Sequence, residues 1–278
     1  MDLQRIAEQT DKYNFHSHTQ YCDGRATMTE MAAAAAREGF RHWGFSPHSP
    51  VPIDSSCNMD RGRVDDYLAE VVCLKKQYDG VMDLYAGMEI DYLGAEWGPA
   101  IGYFKSLPLD YRIGSVHFLP SDSGFVDVDG RFESFKGKME RFFNDDIKHV
   151  VELFYRCSTD MVEAGGFDIL GHFDKIGHNA SLFSPGIEDT AWYRRLVDDM
   201  VDAIIASGVT VEINTKIWRD SHRIFPSERY LGRLIENGVP LLVNSDAHYP
   251  DKVNAGRDEI CDMLRKMYKT NNRTLNLI

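Results

Sequence analysis

Along the chain, short runs of consecutive apolar residues alternate with longer stretches in which apolar positions recur every three or four residues. Runs at about 13–18, 42–46, 84–90, 111–118, 167–172, 209–214 and 240–245 have strand length, and their near-continuous apolarity predicts strands covered on both faces. The periodic stretches between them predict helices over 27–38, 64–78, 147–164, 192–207 and 228–237, with a last one beginning near Val253. Thr27-Met28-Thr29-Glu30 opens the first of these and Gly39 stops it. Seven strand–helix units predict an α/β fold closed into a parallel barrel. An open doubly wound sheet is the alternative, weakened because no glycine-rich phosphate loop follows the first strand. No repeat, low-complexity tract or linker divides the sequence, so residues 1–278 are expected to form a single domain. Its one interruption is a polar insertion at about 119–145, with Gly124, Gly130 and Gly137, read as a lid or a connecting excursion.

Residues able to bind metal gather where the predicted strands end. His16 and His18 are two apart in the first strand, so both side chains reach one face, and Asp23 follows on the loop. His48, Glu89, His117 and His172 stand at the ends of later strands, and Asp246 with His248 at the end of the last. Barrel strands converge at their carboxyl ends, where βα-barrel active sites are built. Six of the ten histidines fall at this rim, a register that chance scattering over helices and loops would not produce. Singly, each has a plainer reading: His117 as a core histidine, Glu89 as a strand-end carboxylate, Asp246 as a cap or turn former. Together the nine residues favour metal, whereas His42, His149, His178 and His222 read as structural or surface residues. Imidazole and carboxylate ligands without cysteine suit zinc, manganese or iron. Nine ligands exceed one ion, and two or three divalent ions sharing bridging groups would use them fully.

Composition narrows the partners. A formal charge of −12 argues against a nucleic-acid groove or an anionic membrane surface, both of which need a lysine and arginine excess. Met1-Asp2-Leu3-Gln4-Arg5 leads no apolar run, and no stretch approaches the ~20 apolar residues that span a bilayer, so a soluble, cytoplasmic protein is expected. The five cysteines are widely spaced and form no Cys-x-x-Cys pair, which fits reduced thiols.

The set His-x-His with Asp five residues on, then His48, Glu89, His117, His172 and a final Asp-x-His, resembles the polymerase and histidinol phosphatase (PHP) superfamily. Gly87-Met88-Glu89-Ile90-Asp91-Tyr92 and Ile113-Gly114-Ser115-Val116-His117-Phe118-Leu119 resemble its histidinol-phosphate phosphatase branch. The resemblance implies a distorted (β/α)7 barrel with a trinuclear metal centre that hydrolyses a small phosphorylated substrate, L-histidinol phosphate. By position, it implies one ion on His16, His18, Glu89 and Asp246, a second on Glu89, His117 and His172, and a third on Asp23, His48 and His248. It also implies arginines on the phosphate. Arg219 after the sixth strand fits such a place, while Lys175 stands where a second arginine is expected, and Arg25, Arg61 and Lys216 are further loop candidates. Asp246 or His248 would serve protonation of the leaving group. Rival readings are a relative acting on another small phosphate ester or phosphotyrosine, an amidohydrolase, whose usual lysine bridge has no counterpart at the end of strand four, and a non-catalytic metal-binding protein.

Overall fold

A computed structural model describes residues 1–270, so residues 271–278 of the expected domain lie outside the described residues. Ten strands appear in the order β1 (Tyr13–Asn14), β2 (His42–Phe45), β3 (Asp83–Ala86), β4 (Glu89–Asp91), β5 (Ile113–Ser115), β6 (Phe118–Ser121), β7 (Gly124–Asp127), β8 (Ile169–Leu170), β9 (Thr210–Asn214) and β10 (Leu241–Asn244). Strands β1-β2-β3 and β4-β5-β8-β9-β10 form two parallel sheets, and β6 and β7 make a separate antiparallel hairpin. The fold is thus α/β with parallel strands, as its sequence pattern predicts.

The regular ladders stop at two seams, and isolated bridges cross both. At the first, the strand expected over 84–90 is instead two strands in different sheets. The cause is the Tyr111 ring, which lies against both Gly44 and Gly87. A Cβ on these glycines would come within 2.1 Å and 2.2 Å of the tyrosine, whose hydroxyl donates to the Phe15 carbonyl at 2.6 Å. The chain steps around the ring and rejoins β2 through Gly87 N to Phe45 O at 2.7 Å and a parallel bridge between His48 and Glu89. At the second seam, side chains replace the ladder between β1 and β10. Phe15 N donates to Asn244 Oδ1 at 2.8 Å, Ser245 N to Asn14 Oδ1 at 2.7 Å, and Val243 N to the Tyr13 hydroxyl at 3.0 Å. A bridge between Ser17 and Ala247 completes that junction. Taken around, the strands run β1, β2, the β3 and β4 pair, β5, β8, β9 and β10, seven positions of a distorted barrel.

Helices cover the outside. Met28–Arg37 begins at a Thr27 and Glu30 capping box and ends before Gly39, which takes a φ of 81°. The stretch at 119–145 differs from its expected polar character. It contains the hairpin and then the helix Phe132–Phe143, whose Phe135, Met139 and Phe143 lie four apart and bury one stripe in the larger core. Charged residues between these positions mask that stripe in the composition. The short helices Leu3–Gln9, Gly102–Ser106 and Ile176–Phe183 are further additions to the predicted set, and the last helix, Arg257–Thr270, starts after a 3-10 turn at Pro250–Lys252. No described helix is long and apolar enough to cross a membrane.

Replacing Gly87 by alanine forces the Tyr111 ring from its seat, so the variant should lose about 1–3 kcal/mol of stability. Chemical denaturation measures this, and an unchanged midpoint would refute the packing account of the first seam.

Candidate metal centre

All nine predicted ligands meet at one end of the barrel, in four overlapping groups whose donor atoms lie within 4.8 Å of one another. Glu89, at the start of β4, is the centre. Its Oε2 stands 3.2 Å from His16 Nε2, 3.5 Å from His18 Nε2 and 3.0 Å from His48 Nδ1. Its Oε1 stands 2.9 Å from His172 Nε2 and 3.5 Å from His117 Nε2. Asp246 Oδ1 lies 3.1 Å from His18 Nε2 and 3.8 Å from His16 Nε2. Asp23 Oδ1 lies 3.3 Å from His248 Nε2 and 3.7 Å from His48 Nε2. Ligands bound about 2.1 Å from a common ion stand roughly 3.0–3.5 Å apart, so these separations suit donors arranged around cations.

The hydrogen-bond inventory agrees. Among the described residues ten buried side-chain polar atoms lack a hydrogen-bond partner, and four of them, His16 Nε2, His18 Nε2, Asp23 Oδ1 and Glu89 Oε2, stand together in this cluster, a costly state for polar atoms with nothing to bind. The far side of several rings is held instead. His16 Nδ1 donates to Glu212 at 2.6 Å, His117 Nδ1 to Asp91 at 2.7 Å, and His248 Nδ1 to the Asp246 carbonyl at 3.0 Å. A donor bond at one nitrogen leaves a lone pair on the other, the arrangement by which outer partners orient metal-binding imidazoles. The residues therefore fit divalent metal. The groups overlap rather than dividing into three separate sets, with His48 facing both Glu89 and Asp23.

Electrostatics point the same way. Burial alone would raise the Glu89 carboxyl, yet His16, His48 and His117 hold it well below the usual carboxylate range. Asp246 is likewise driven down against its burial, by Lys216 and His16. Against its own desolvation, His117 is pushed up to about 9 by Asp91 and Glu89. The site is thus an excess of negative charge that a proton or a metal cation can answer. Asp246 also holds a φ of 49°, uncommon for a residue with a side chain, so its placement is bought with backbone strain on the order of 1 kcal/mol.

A cavity of about 400 Å³ opens onto this cluster, lined by His48, His117, Asp246 and His248 and, further out, by Arg25, Lys216, Asp129 and Tyr249. Lys216 Nζ lies 3.3 Å from Asp246 Oδ1 and 3.4 Å from His248 Nε2. Arg25 is exposed at the mouth. Three of the phosphate candidates are not among the residues lining the cavity. Arg219 is 57% exposed and faces Glu259 at 3.9 Å, because the short helix Trp218–Ser221 turns it outward and presents Asp220 to the cavity. Lys175 is not in the cavity lining, since its ammonium is held 2.7 Å from Asp129, which is. Arg61 stacks on the Tyr103 ring, 4.3 Å from its centroid, away from the site. His178 is half-buried beside Phe225, and the remaining histidines stay outside the cluster.

The PHP domain family matches residues 14–216. The chain belongs to that family. The match ends before Asp246 and His248, which the barrel brings back beside His18 and Asp23. The histidinol-phosphatase of Bacillus subtilis (strain 168) is 28% identical over 255 residues, covering 85% of this chain and 93% of the relative. A Listeria monocytogenes structure superposes with a TM-score of 0.80 at 18% identity, over 90% of this chain and 100% of that one. The histidinol phosphate phosphatase of Lactococcus lactis subsp. lactis Il1403, solved with zinc, L-histidinol and phosphate, superposes with a TM-score of 0.67 at 16% identity, over 92% and 94%. At these identities the solved structures speak to the fold.

Sequence reasoning missed the PHP domain's outer partners. Glu212 and Asn214 alternate with apolar residues in β9 and point inward, and Asp91 lies two after Glu89. Period-two polarity within an otherwise apolar strand was the available signal. Ser115 adds a hydroxyl donated to Glu89 Oε1 at 2.7 Å.

Adding zinc or manganese to metal-stripped protein should raise the unfolding midpoint and release protons, because His117 must shed its proton to bind; affinity therefore falls as pH drops from about 9. Glu212→Gln should weaken that affinity about 10- to 100-fold. Calorimetry in buffers of different ionisation enthalpy reads both effects. Binding without proton release, or at full strength in the variant, would contradict the assignment.

Proposed function

We propose that this PHP domain is a phosphoric monoester hydrolase that converts L-histidinol phosphate to L-histidinol and phosphate at a centre of three divalent ions. The observation that carries the reading is the set of orphaned donors on His16, His18, Asp23 and Glu89, buried against His48 and Asp246, which line a cavity that also presents Lys216 and Arg25. The Bacillus subtilis relative, aligned over 93% of its own length, supports the choice of ester. His16, His18, Glu89 and Asp246 would hold one ion, Glu89 with His117 and His172 a second, and Asp23, His48 and His248 a third. Zinc, manganese and iron all suit this donor set. Bound there, such ions supply Lewis acidity for the phosphoryl oxygens and lower the pKa of an attacking water.

The chain's own residues do the rest. Lys216 and Arg25 draw a dianionic ester into a protein whose formal charge is −12. Asp246 and His248 serve the leaving-group proton. They do so by holding the Lys216 ammonium within 3.4 Å, so that Lys216 gives its proton to the leaving oxygen and regains one from solvent while carboxylate and ring remain available as ligands. Residues 1–278 act as one unit in this reading, with the 119–145 segment shaping the alcohol side of the cavity through Asp127 and Asp129.

A phosphate-release panel of L-histidinol phosphate, phosphotyrosine and simple monoesters, run on metal-loaded protein, should show L-histidinol phosphate turned over most efficiently. Replacing His16 or Glu89 by alanine should abolish turnover while circular dichroism stays that of the parent. Phosphate release from other esters alone would remove the histidinol assignment, and full activity in either variant would remove the metal mechanism.

A further inference from the structure

The cavity poses an electrostatic problem that the phosphate half of the substrate does not solve. Asp129 lines it, in the loop that follows the β6 and β7 hairpin. A fixed carboxylate repels a phosphate dianion, yet this loop is held firmly. Val128 N donates to the His117 carbonyl at 2.8 Å, Asp129 N to Asp127 Oδ1 at 2.8 Å, and Asn179 Nδ2 to the Gly130 carbonyl at 3.3 Å. Asp127 is itself tied to Lys138 at 2.8 Å. One oxygen of Asp129 meets Lys175, only 13% exposed, at 2.7 Å, while the aspartate side chain keeps 30% of its surface open. Lys175, His117 and Lys216 keep the group ionised against its partial desolvation. The arrangement leaves part of a carboxylate open to the cavity, where it can meet a cation that the ligand brings.

We infer that Asp129, positioned by Lys175, is a specificity-determining residue that binds the ammonium group of an amino-alcohol phosphate. The inference rests on the reading of the chain as a histidinol-phosphate hydrolase and supplies what that reading lacks, a group that separates this substrate from other monoesters. Lys175 then acts through Asp129 rather than on the phosphate. A charge-assisted contact of this kind is worth about 10- to 100-fold in affinity.

The test compares L-histidinol phosphate with 3-(imidazol-4-yl)propyl phosphate, which lacks only the amine. The metal-loaded parent should favour the amino ester. Asp129→Asn should lower kcat/KM for it by about 10- to 100-fold, chiefly through KM, and leave the des-amino ester unchanged or improved. Asp129→Glu should restore part of the preference. Lys175→Met should also erase the preference, whereas a lysine on the phosphate would cost both esters equally. Calorimetry with L-histidinol and its des-amino alcohol gives the same comparison without turnover. Equal losses on both esters, or an undiminished preference in Asp129→Asn, would overturn the inference. If the parent releases phosphate from other esters but not from L-histidinol phosphate, the substrate reading fails. O-Phosphoethanolamine against ethyl phosphate then puts the same question to Asp129, and equal use of the two overturns its role.

Discussion

The site depends on a carboxylate that touches no substrate. Glu212 lies wholly buried in the barrel, on β9, and all its bonding capacity is used by neighbours. One oxygen takes His16 Nδ1 at 2.6 Å and Asn244 Nδ2 at 3.1 Å; the other takes Asn214 Nδ2 at 3.1 Å and the His172 backbone N–H at 3.2 Å. These bonds join the segment after β1, strands β9 and β10, and the turn after β8. A buried charge is tolerated only when its lone pairs are satisfied in this manner. Because the partners include two candidate ligands, the requirement that stabilises Glu212 also sets the direction of the imidazoles above it.

The irregularities of the barrel serve the same end. Both seams in the ladder fall where the candidate ligands cluster: His48 and Glu89 bridge the first, and the segments carrying His16, His18, Asp246 and His248 run along the second. A continuous ladder would fix each residue in strand geometry, with alternate side chains turned outward. Released from it, the backbone at Asp246 can adopt its left-handed turn and aim the carboxylate inward. The interior is accordingly polar near this end, with Asn14, Glu212, Asn214 and Asn244 fully buried, while Phe15, Ile113, Ile169 and Leu242 fill the layer beneath.

The 119–145 segment shows how composition can mislead. Its glycines and charges read as an excursion, yet Phe135, Met139 and Phe143 anchor a helix in the core, and the loop before that helix carries Asp129 to the cavity. Arg219 shows the converse. It has the chemistry to meet phosphate and the right place after a strand, but one turn of helix points it at solvent.

By itself, the sequence determined the parallel α/β alternation and the nine donors at strand ends, because strand periodicity and residue chemistry are local properties. It also held the signal of alternate polarity in β9. Tertiary structure decided which lysine faces the cavity, which carboxylates orient the rings, and where the ladder yields to Tyr111. Those outcomes turn on contacts between residues as far apart as His16 and Glu212, or Asp129 and Lys175. No local pattern encodes the direction in which a side chain leaves a loop, and that direction separates a group lining the site from one bathed in water.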